Sequence, residues 1–418
     1  MDFYATFWAL VPPLVAILLA LITKEVFSSL FIGVVLGGLF AAGFHPVGAL
    51  DAITNDGLID AISGSAGIFL FLVILGIMVA LINKSGGSAA FGRWAEKHIR
   101  SRVGAVFATF LLGVFIFVDD YFNCLTVGSV MLPVTDRKKI SRAKLAYIID
   151  ATAAPICMIA PISSWAAAVS SVVEDNNGLS LFVRAIPWNF YSLLTIIFVI
   201  AITVMKIDYG PMKIHEMNAY LNGDLYSGGD RAEESDTQAE YSKRGRVIDI
   251  ILPIAVLIIC CMLAFIYVGG FWDAASDFKG DFIGSFGNTD ATVALPWGSL
   301  IALAFTFIYY WIRRVVKFKV SMNCVPDGFK AMVPAITILT LATALKNMTS
   351  LLGAKEYVSD LMNNAAGSLT ALLPAIIFLV ACALSFSTGT SWGTFLMLIP
   401  IVTNVFEPEN PLMIIGLS

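Results

Sequence analysis

Apolar segments of membrane-spanning length recur along this chain and limit what it can fold into. A helix needs about 20 apolar residues to cross a bilayer. Seven segments come close to that length: 6–23, 26–43, 65–83, 186–205, 247–268, 291–312 and 331–349. Three further apolar stretches, 104–134, 145–173 and 369–404, are longer and irregular. Charged residues make up 13% of the chain, against about 25% in a soluble domain. The sequence therefore predicts an all-α polytopic membrane protein.

Charged loops indicate the side of the membrane on which each loop lies. Lys and Arg are concentrated in loops 84–103, 135–144 and 313–330, whereas Asp is concentrated in loops 44–64 and 269–290. Loops rich in Lys and Arg stay in the cytoplasm. We therefore place the first three loops inside and the other two outside.

The apolar stretch 104–134 has a basic loop at each of its ends. It must therefore enter and leave the membrane on the same side. Its two arms, on either side of Asp119 and Asp120, are too short to be full spans. We expect a hairpin whose tip, at these two aspartates, lies within the membrane. The next stretch, 145–173, then crosses outward.

A polar segment, 206–246, divides the chain and is typical of a flexible cytoplasmic linker. The parts on either side, 1–205 and 247–418, contain corresponding elements that run in opposite directions, and the hairpin 369–404 opens to the outside. Two inverted-topology repeats with broken helices and re-entrant hairpins are the signature of secondary transporters.

The second repeat lacks counterparts for the last elements of the first. Copying the first repeat predicts roughly 70 further residues, so we expect the chain to be cut short at its C-terminus.

The adjacent carboxylates of Asp119 and Asp120 are the first candidates for a functional site. A charged side chain at the bilayer centre costs about 2.5–3.5 kcal/mol, and two neighbouring carboxylates repel each other. A site that binds a cation or a proton explains why the chain keeps both. Asn123 and Thr126 extend the polar face by one helical turn. The alternative is that the hairpin tip reaches water and the pair is only solvated.

The crossing 145–173 contains a second polar interruption. Pro155 and Pro161 each remove an N–H from the helix and so free carbonyl oxygens. Asp150 precedes this predicted break, and Ser163 and Ser164 follow it. Hard cations are coordinated by carboxylate, hydroxyl and carbonyl oxygens, so the segment is a candidate ion site. Two alternatives remain open: a kink that serves packing, and an Asp150 that lies at the membrane interface.

The tip of the second hairpin, "SFSTGTSWGTF" at 385–395, is rich in hydroxyl groups and glycine. Its candidate ion-binding residues are Thr388, Thr390, Ser391 and Thr394. A flexible turn of small residues is the alternative interpretation. The three histidines lie in loops or in the linker, and no resident metal site is predicted.

Two stretches of the sequence are distinctive: "DDYFNCLTVGSVMLPVTDRKKISRAKLAYIIDATAAPICMIAPISSWAAA" and "STGTSWGTFLMLIPI". Both closely resemble the NhaC-type Na⁺/H⁺ antiporter family of the ion-transporter superfamily. The resemblance implies Na⁺/H⁺ exchange across a prokaryotic plasma membrane by a multi-pass homodimer with scaffold and mobile parts. Related members exchange organic acids or amino-acid-like solutes. The family follows its second hairpin with a crossing that bears G-D-H-x-S-P-I-S-D-T, and this chain stops before it.

When the family's site residues are carried over to matching positions of this sequence, the resemblance adds Thr152 to the candidate residues found above. The complete predicted set is Asp119, Asp120, Asn123, Thr126, Asp150, Thr152, Pro155, Pro161, Ser163, Ser164, Thr388, Thr390, Ser391 and Thr394.

Together these features predict a secondary active transporter that exchanges Na⁺ or Li⁺ for H⁺, with both ions as cargo and no resident cofactor. The alternative is a Na⁺- or H⁺-coupled exchanger of a small organic acid or amino-acid-like solute, of the malate/lactate type. An intramembrane aspartyl protease is disfavoured because the tetrapeptide G-x-G-D does not occur, and no enzyme activity is predicted. A channel is disfavoured by the paired inverted hairpins. The expected partners are the lipid bilayer and the ions, with no nucleic acid.

Overall fold

The structure is a computed structural model, and it describes a large part of the chain. The described residues are 3–117, 120–166, 169, 178–227, 242, 244–354, 356–357, 367–388, 394 and 398–399. These residues form helices, connected by turns and loops, and no strands. The predicted all-α membrane fold is therefore confirmed.

The α-helices are numbered here in chain order. They are α1 (Val11–Thr23), α2 (Val26–Ala41), α3 (Pro46–Asp51), α4 (Asp60–Ser85), α5 (Gly87–His98), α6 (Arg102–Phe115), α7 (Asp120–Arg137), α8 (Arg142–Cys157), α9 (Gly178–Ala185), α10 (Phe190–Met205), α11 (Gly210–Asn222), α12 (Ile248–Val268), α13 (Phe282–Gly287), α14 (Ala291–Ile312), α15 (Phe318–Leu351) and α16 (Gly367–Thr388).

Four helical segments of the described chain are long and apolar enough to cross a membrane. They are Pro46–Ser85, α12, α14 and α15. A fifth candidate is a bent pair, Leu179–Trp188 with α10, whose two parts meet at 50°. Helices α1 and α2 are apolar but shorter. Each of the seven predicted spans thus coincides with a helix.

Two spans extend well beyond their predicted limits. The segment 44–64 is not a loop, because a π-helical turn, Ala52–Ile59, joins α3 and α4 into one helix of 40 residues. Asn347 of α15 donates through Nδ2 to the carbonyl oxygen of Asp56 and to Oδ2 of Asp60, both at 3.0 Å. Packing on α15 therefore stabilises residues 46–64 as helix, although their polar composition predicted a loop. Helix α15 likewise begins at Phe318, inside the predicted loop 313–330.

Helix α4 lies at the centre of the larger hydrophobic core. Its side chains Ile68, Phe71 and Leu72 are fully buried, and α4 packs against α14 and α15. At Gly76 and Gly328 the backbones of α4 and α15 approach so closely that neither position has room for a Cβ atom. Small residues allow such close crossings of membrane helices.

A second core holds the region of the predicted ion site. It joins α6, α7, α8 and α10 through buried apolar side chains, among them Phe110, Met131, Ile148 and Val199. Helices α6 and α7, of 14 and 18 residues, are joined by a short connection and form the two arms of a hairpin. Asp119 lies outside the described residues.

The predicted linker contains an ordered helix. Within 206–246, α11 packs against α8 and buries Glu216 and Ala219. Residues 228–241 lie outside the described part of the chain. The division into repeats 1–205 and 247–418 stays a prediction.

Candidate functional site

Asn123 ties together the two arms of the first hairpin. Helix α6 ends at Phe115, and Ile116 leaves the helical conformation with φ −101° and ψ 51°. The last carbonyl groups of a helix have no partner within it. Here the Nδ2 group of Asn123, on α7, donates to the carbonyl oxygens of Gly113 and Ile116 at 2.7 and 3.0 Å. A fully buried side chain therefore stabilises the broken end of α6.

The same amide leaves an oxygen unpaired. Oδ1 of Asn123 is buried and accepts no hydrogen bond from any described residue. A Cβ atom placed on Gly113 would lie 3.5 Å from this oxygen and 2.7 Å from Cγ2 of Thr152 on α8. Oδ1 of Asn123 and the methyl group of Thr152 therefore both lie beside Gly113. Oγ1 of Thr152 donates to the carbonyl oxygen of Ile148 at 2.6 Å, so its lone pairs stay available as an acceptor.

Asp120 and Thr126 lie one helical turn from Asn123 on either side. Residues three apart share a face of a helix, and all three side chains are buried. The face therefore presents a carboxylate, an amide oxygen and a hydroxyl group. These are the hard oxygen ligands that Na⁺ takes, and the carboxylate is the group on which a proton can compete.

The predicted break in the crossing after α8 is confirmed. Helix α8 contains the buried Pro155 and ends at Cys157, and helical backbone resumes only at 164–166. Ser163 bridges this break. Its hydroxyl group lies 2.7 and 2.9 Å from the carbonyl oxygens of Cys157 and Ala160, and its Oγ accepts from the N–H of Ala166 at 3.2 Å. Ser163 therefore stabilises both helix ends, while Pro161 lies in the non-helical turn.

The two breaks lie side by side. The Sγ–H of Cys157, in the last turn of α8, donates to the carbonyl oxygen of Phe117 at the hairpin tip, with a sulfur–oxygen distance of 3.1 Å. Ser164, at the far side of the α8 break, is fully buried, and no described residue bonds to its hydroxyl group. A buried, unpaired hydroxyl costs about 1–3 kcal/mol unless something binds it.

Asp150 does not lie with Asn123 and Thr152. Its side chain is exposed, whereas Thr152, two residues on, is buried. Residues two apart on a helix point about 200° away from each other, so the structure does not bring Asp150 together with Asn123 and Thr152. On the exposed face Asp150 interacts electrostatically with Tyr191 at the start of α10.

One residue of the second hairpin, Ile399, lies beside the break that follows α8. Ile399 lines a cavity of about 40 Å³ together with Met158 and Trp165 of the break and Asn189, the N-cap residue of α10. A cavity of this size has room for roughly three waters. Thr394 is buried. Thr390 and Ser391 lie outside the described residues, as does the side chain of Thr388.

Two contributors to the site are absent from the predicted set, namely Gly113 and Cys157. Both are small residues in apolar helices, a pattern that is common in membrane helices for packing alone, so their types gave no distinct signal. The described part of the chain contains no group of three His, Cys, Asp or Glu residues that could hold a resident metal.

Comparison with known proteins gives two matches. A family model described as the Na⁺/H⁺ antiporter family matches residues 167–410. An uncharacterized protein of Haemophilus influenzae is 34% identical over 425 residues, an alignment that covers 98% of this chain and 79% of that protein. The family match includes the second hairpin, and the similarity to the bacterial protein extends over the first hairpin as well.

Proposed function

The chain belongs to the Na⁺/H⁺ antiporter family, and from this premise we propose that it exchanges Na⁺ or Li⁺ for H⁺ at the two helix breaks. One observation carries the proposal: the unpaired Oδ1 of Asn123 is buried beside Gly113, where α6 packs against Thr152 of α8. An amide oxygen without a donor in an apolar core is costly. A cation at this point would be bound by the oxygen and would remove that cost.

The proposed mechanism is competition for carboxylate oxygen. Na⁺ bound by Asp120, with Asn123 and Thr152 as neutral ligands, offsets the charge of the buried carboxylate. Protonation of the same carboxylate offsets that charge and displaces Na⁺. The empty, charged site is the form that a low-dielectric environment disfavours most. If the site can switch its access from one side of the membrane to the other only when it holds Na⁺ or H⁺, the protein exchanges the two ions.

The proposal has four further parts. Both ions are cargo, so the exchange uses no resident cofactor. The setting we propose for this multi-pass protein is a prokaryotic plasma membrane, with a homodimer as the assembly. Asp119 adjoins Asp120 in sequence and is proposed as a second acidic group of the site. The hydroxyl groups of Thr388, Thr390, Ser391 and Thr394 are proposed to complete the coordination from the second hairpin.

The experiment is ion exchange in everted membrane vesicles from antiporter-deficient cells, with an acidic interior and a pH-sensitive dye. We expect added Na⁺ or Li⁺ to drive proton efflux in the parent chain and not in Asp120→Asn. Thr152→Val should raise the Na⁺ concentration needed for half-maximal efflux, since it removes one oxygen and keeps the volume.

Thr203→Val is a matched control for Thr152→Val. Thr203 is also buried and its Oγ1 also donates to the carbonyl oxygen four residues back at 2.6 Å, but it lies on α10 away from the breaks. Equal effects of the two changes would show that Thr152 acts only in packing. If no monovalent cation drives efflux, the antiporter proposal is wrong, and organic acids and amino-acid-like solutes become the substrates to test.

A further inference from the structure

Helix α11 carries an exposed apolar edge outside the predicted membrane spans. Ile214, Met217 and Leu221 are 62%, 52% and 67% exposed, and their spacing places them on one side of the helix. The opposite side, with Glu216 and Ala219, is buried against the protein. An edge of three large apolar side chains facing away from the protein requires a partner that excludes water.

Helix α11 follows α10, part of a candidate membrane span whose exposed apolar side chains include Ile197 and Val204. Helix α10 ends at Met205, and Lys206 turns the chain with a left-handed backbone conformation, φ 56°. The ring of Tyr209, just before α11, packs edge-on against Phe198 of α10 with 6.0 Å between the ring centroids. Tyr209 therefore packs the start of α11 against the middle of α10. Tyrosine is enriched at membrane–water interfaces, where one end of its ring is apolar and the other is wet.

The exposed charge beside the edge is positive. Lys206 and Lys213 are both exposed. The two acidic groups closest to these lysines in the chain are paired: Asp208 with Lys144 at 2.5 Å, and Glu216 with Arg102. Asp224, beyond the C-terminus of α11, accepts from the N–H of Tyr226 at 3.1 Å. Basic side chains next to an apolar helix edge match a leaflet that contains anionic lipid.

We propose that α11 lies in the headgroup layer of the membrane, on the side of the basic loops. Its edge of Ile214, Met217 and Leu221 enters the acyl boundary, and Lys206 and Lys213 contact anionic lipid phosphates. The occupant of this surface is the bilayer itself. The contact does not depend on which ion the protein carries.

The buried side of α11 connects this lipid contact to the candidate ion site. Oε1 of Glu216 accepts from the N–H of Ser141, the N-cap residue of α8, at 2.7 Å, and its other oxygen lies 3.7 Å from Nζ of Lys144. Arg102, its third partner, is the first residue of α6. The two helices that end at the candidate site, α6 and α8, therefore begin at one carboxylate on α11. A bilayer that holds α11 also holds these two helix ends.

The test measures contact with lipid directly. Met217→Cys and Leu221→Cys, each labelled with bimane in the full chain, are reconstituted in vesicles of phosphatidylcholine and phosphatidylglycerol with brominated acyl chains. Asn222→Cys is the control, because Asn222 is exposed and polar on the same helix and lies about 100° from Leu221. The parent chain, whose native cysteines include the exposed Cys382, sets the labelling background.

We expect bromine to quench the probes at residues 217 and 221 at least about twofold more than the probe at residue 222. The quenching should fall in vesicles of phosphatidylcholine alone and in a variant with Lys206→Gln and Lys213→Gln. Equal quenching at all three positions would overturn the proposal. So would quenching that disappears as the protein-to-lipid ratio rises, since a second copy of the chain would then cover the edge. Neither readout uses transport, so the result is independent of the proposed exchange.

Discussion

Gly113 and Thr152 fix the distance between the hairpin and α8. A Cβ atom at residue 113 would lie 2.7 Å from Cγ2 of Thr152, closer than such atoms approach in proteins. Oδ1 of Asn123 lies on the same side of Gly113, 3.5 Å from the position of that Cβ atom. The spacing of these three residues therefore depends on the absence of a side chain at 113.

Gly113→Ala should weaken Na⁺-dependent exchange, because the new methyl group pushes α6 away from α8. Overpacking of this kind costs about 1–3 kcal/mol in the free energy of unfolding. Adding Thr152→Ser removes the clashing Cγ2 and keeps the hydroxyl group, so the double variant should recover affinity for Na⁺. The measurement is the Na⁺ concentration for half-maximal proton efflux, with thermal unfolding in parallel.

Gly64→Ala is the matched control for this change, because a Cβ atom on Gly64 of α4 meets nothing within 4 Å. We expect it to leave both exchange and stability unchanged. If Thr152→Ser fails to rescue Gly113→Ala, the contact between the two residues does not set the site.

Asn123→Asp should destabilise the protein even though the side chain keeps its size. A carboxylate has no donor for the carbonyl oxygens of Gly113 and Ile116, and each unpaired buried group costs about 1–3 kcal/mol. The measurement is the midpoint of thermal unfolding in detergent. Asn189→Asp is the contrasting change, since Asn189 accepts through Oδ1 from the N–H of Ser192 at 3.0 Å. An aspartate keeps that N-cap bond, so similar losses at both positions would contradict the donor role of Asn123.

Asp120→Asn and Asp150→Asn should have different effects on exchange. Asp120 is buried on the face of α7 that carries Asn123, whereas Asp150 is exposed on the opposite side of α8 from Thr152. We expect Asp120→Asn to abolish Na⁺-driven proton efflux and Asp150→Asn to retain it. Dye-monitored efflux in vesicles, corrected for the amount of protein in the membrane, compares them. Complete loss in both variants would mean that Asp150 also enters the ion path.

Glu216→Gln should lower the unfolding temperature more than Asp208→Asn. Glu216 is nearly fully buried and is bonded to Arg102, Lys144 and the N–H of Ser141, whereas Asp208 is partly exposed and pairs with Lys144. Removing one partner of a buried ion pair costs about 3–5 kcal/mol, well above the value of a partly exposed pair. Thermal unfolding of the two variants in the same detergent measures the difference. An equal or reversed order would show that α11 does not hold α6 and α8 through Glu216.

Local features of the sequence predicted the helices and their interruptions. Apolar length alone predicted seven spans; each coincides with a helix, and five of these helices or helix pairs are long enough to cross a membrane. Pro161 predicted the break after Cys157, because its missing N–H leaves the carbonyl group of Cys157 without its partner in the helix. Pro155 was also predicted to break the helix, but α8 continues through it. The two adjacent aspartates predicted the interruption between α6 and α7, because a buried charge is costly in any apolar segment.

Contacts between distant parts of the chain were decided only by the tertiary structure. The sequence indicated that Asn123 is polar, but not that its Nδ2 would bind two carbonyl groups of α6 and leave Oδ1 unpaired. Asp150 and Thr152 belong to one motif, yet packing buries one and exposes the other. The segment 206–246 was predicted to be a flexible linker, yet its Glu216 is buried among basic groups. Apolar length and proline act within one helix and can be recognised there, whereas burial and pairing depend on which helix lies beside it.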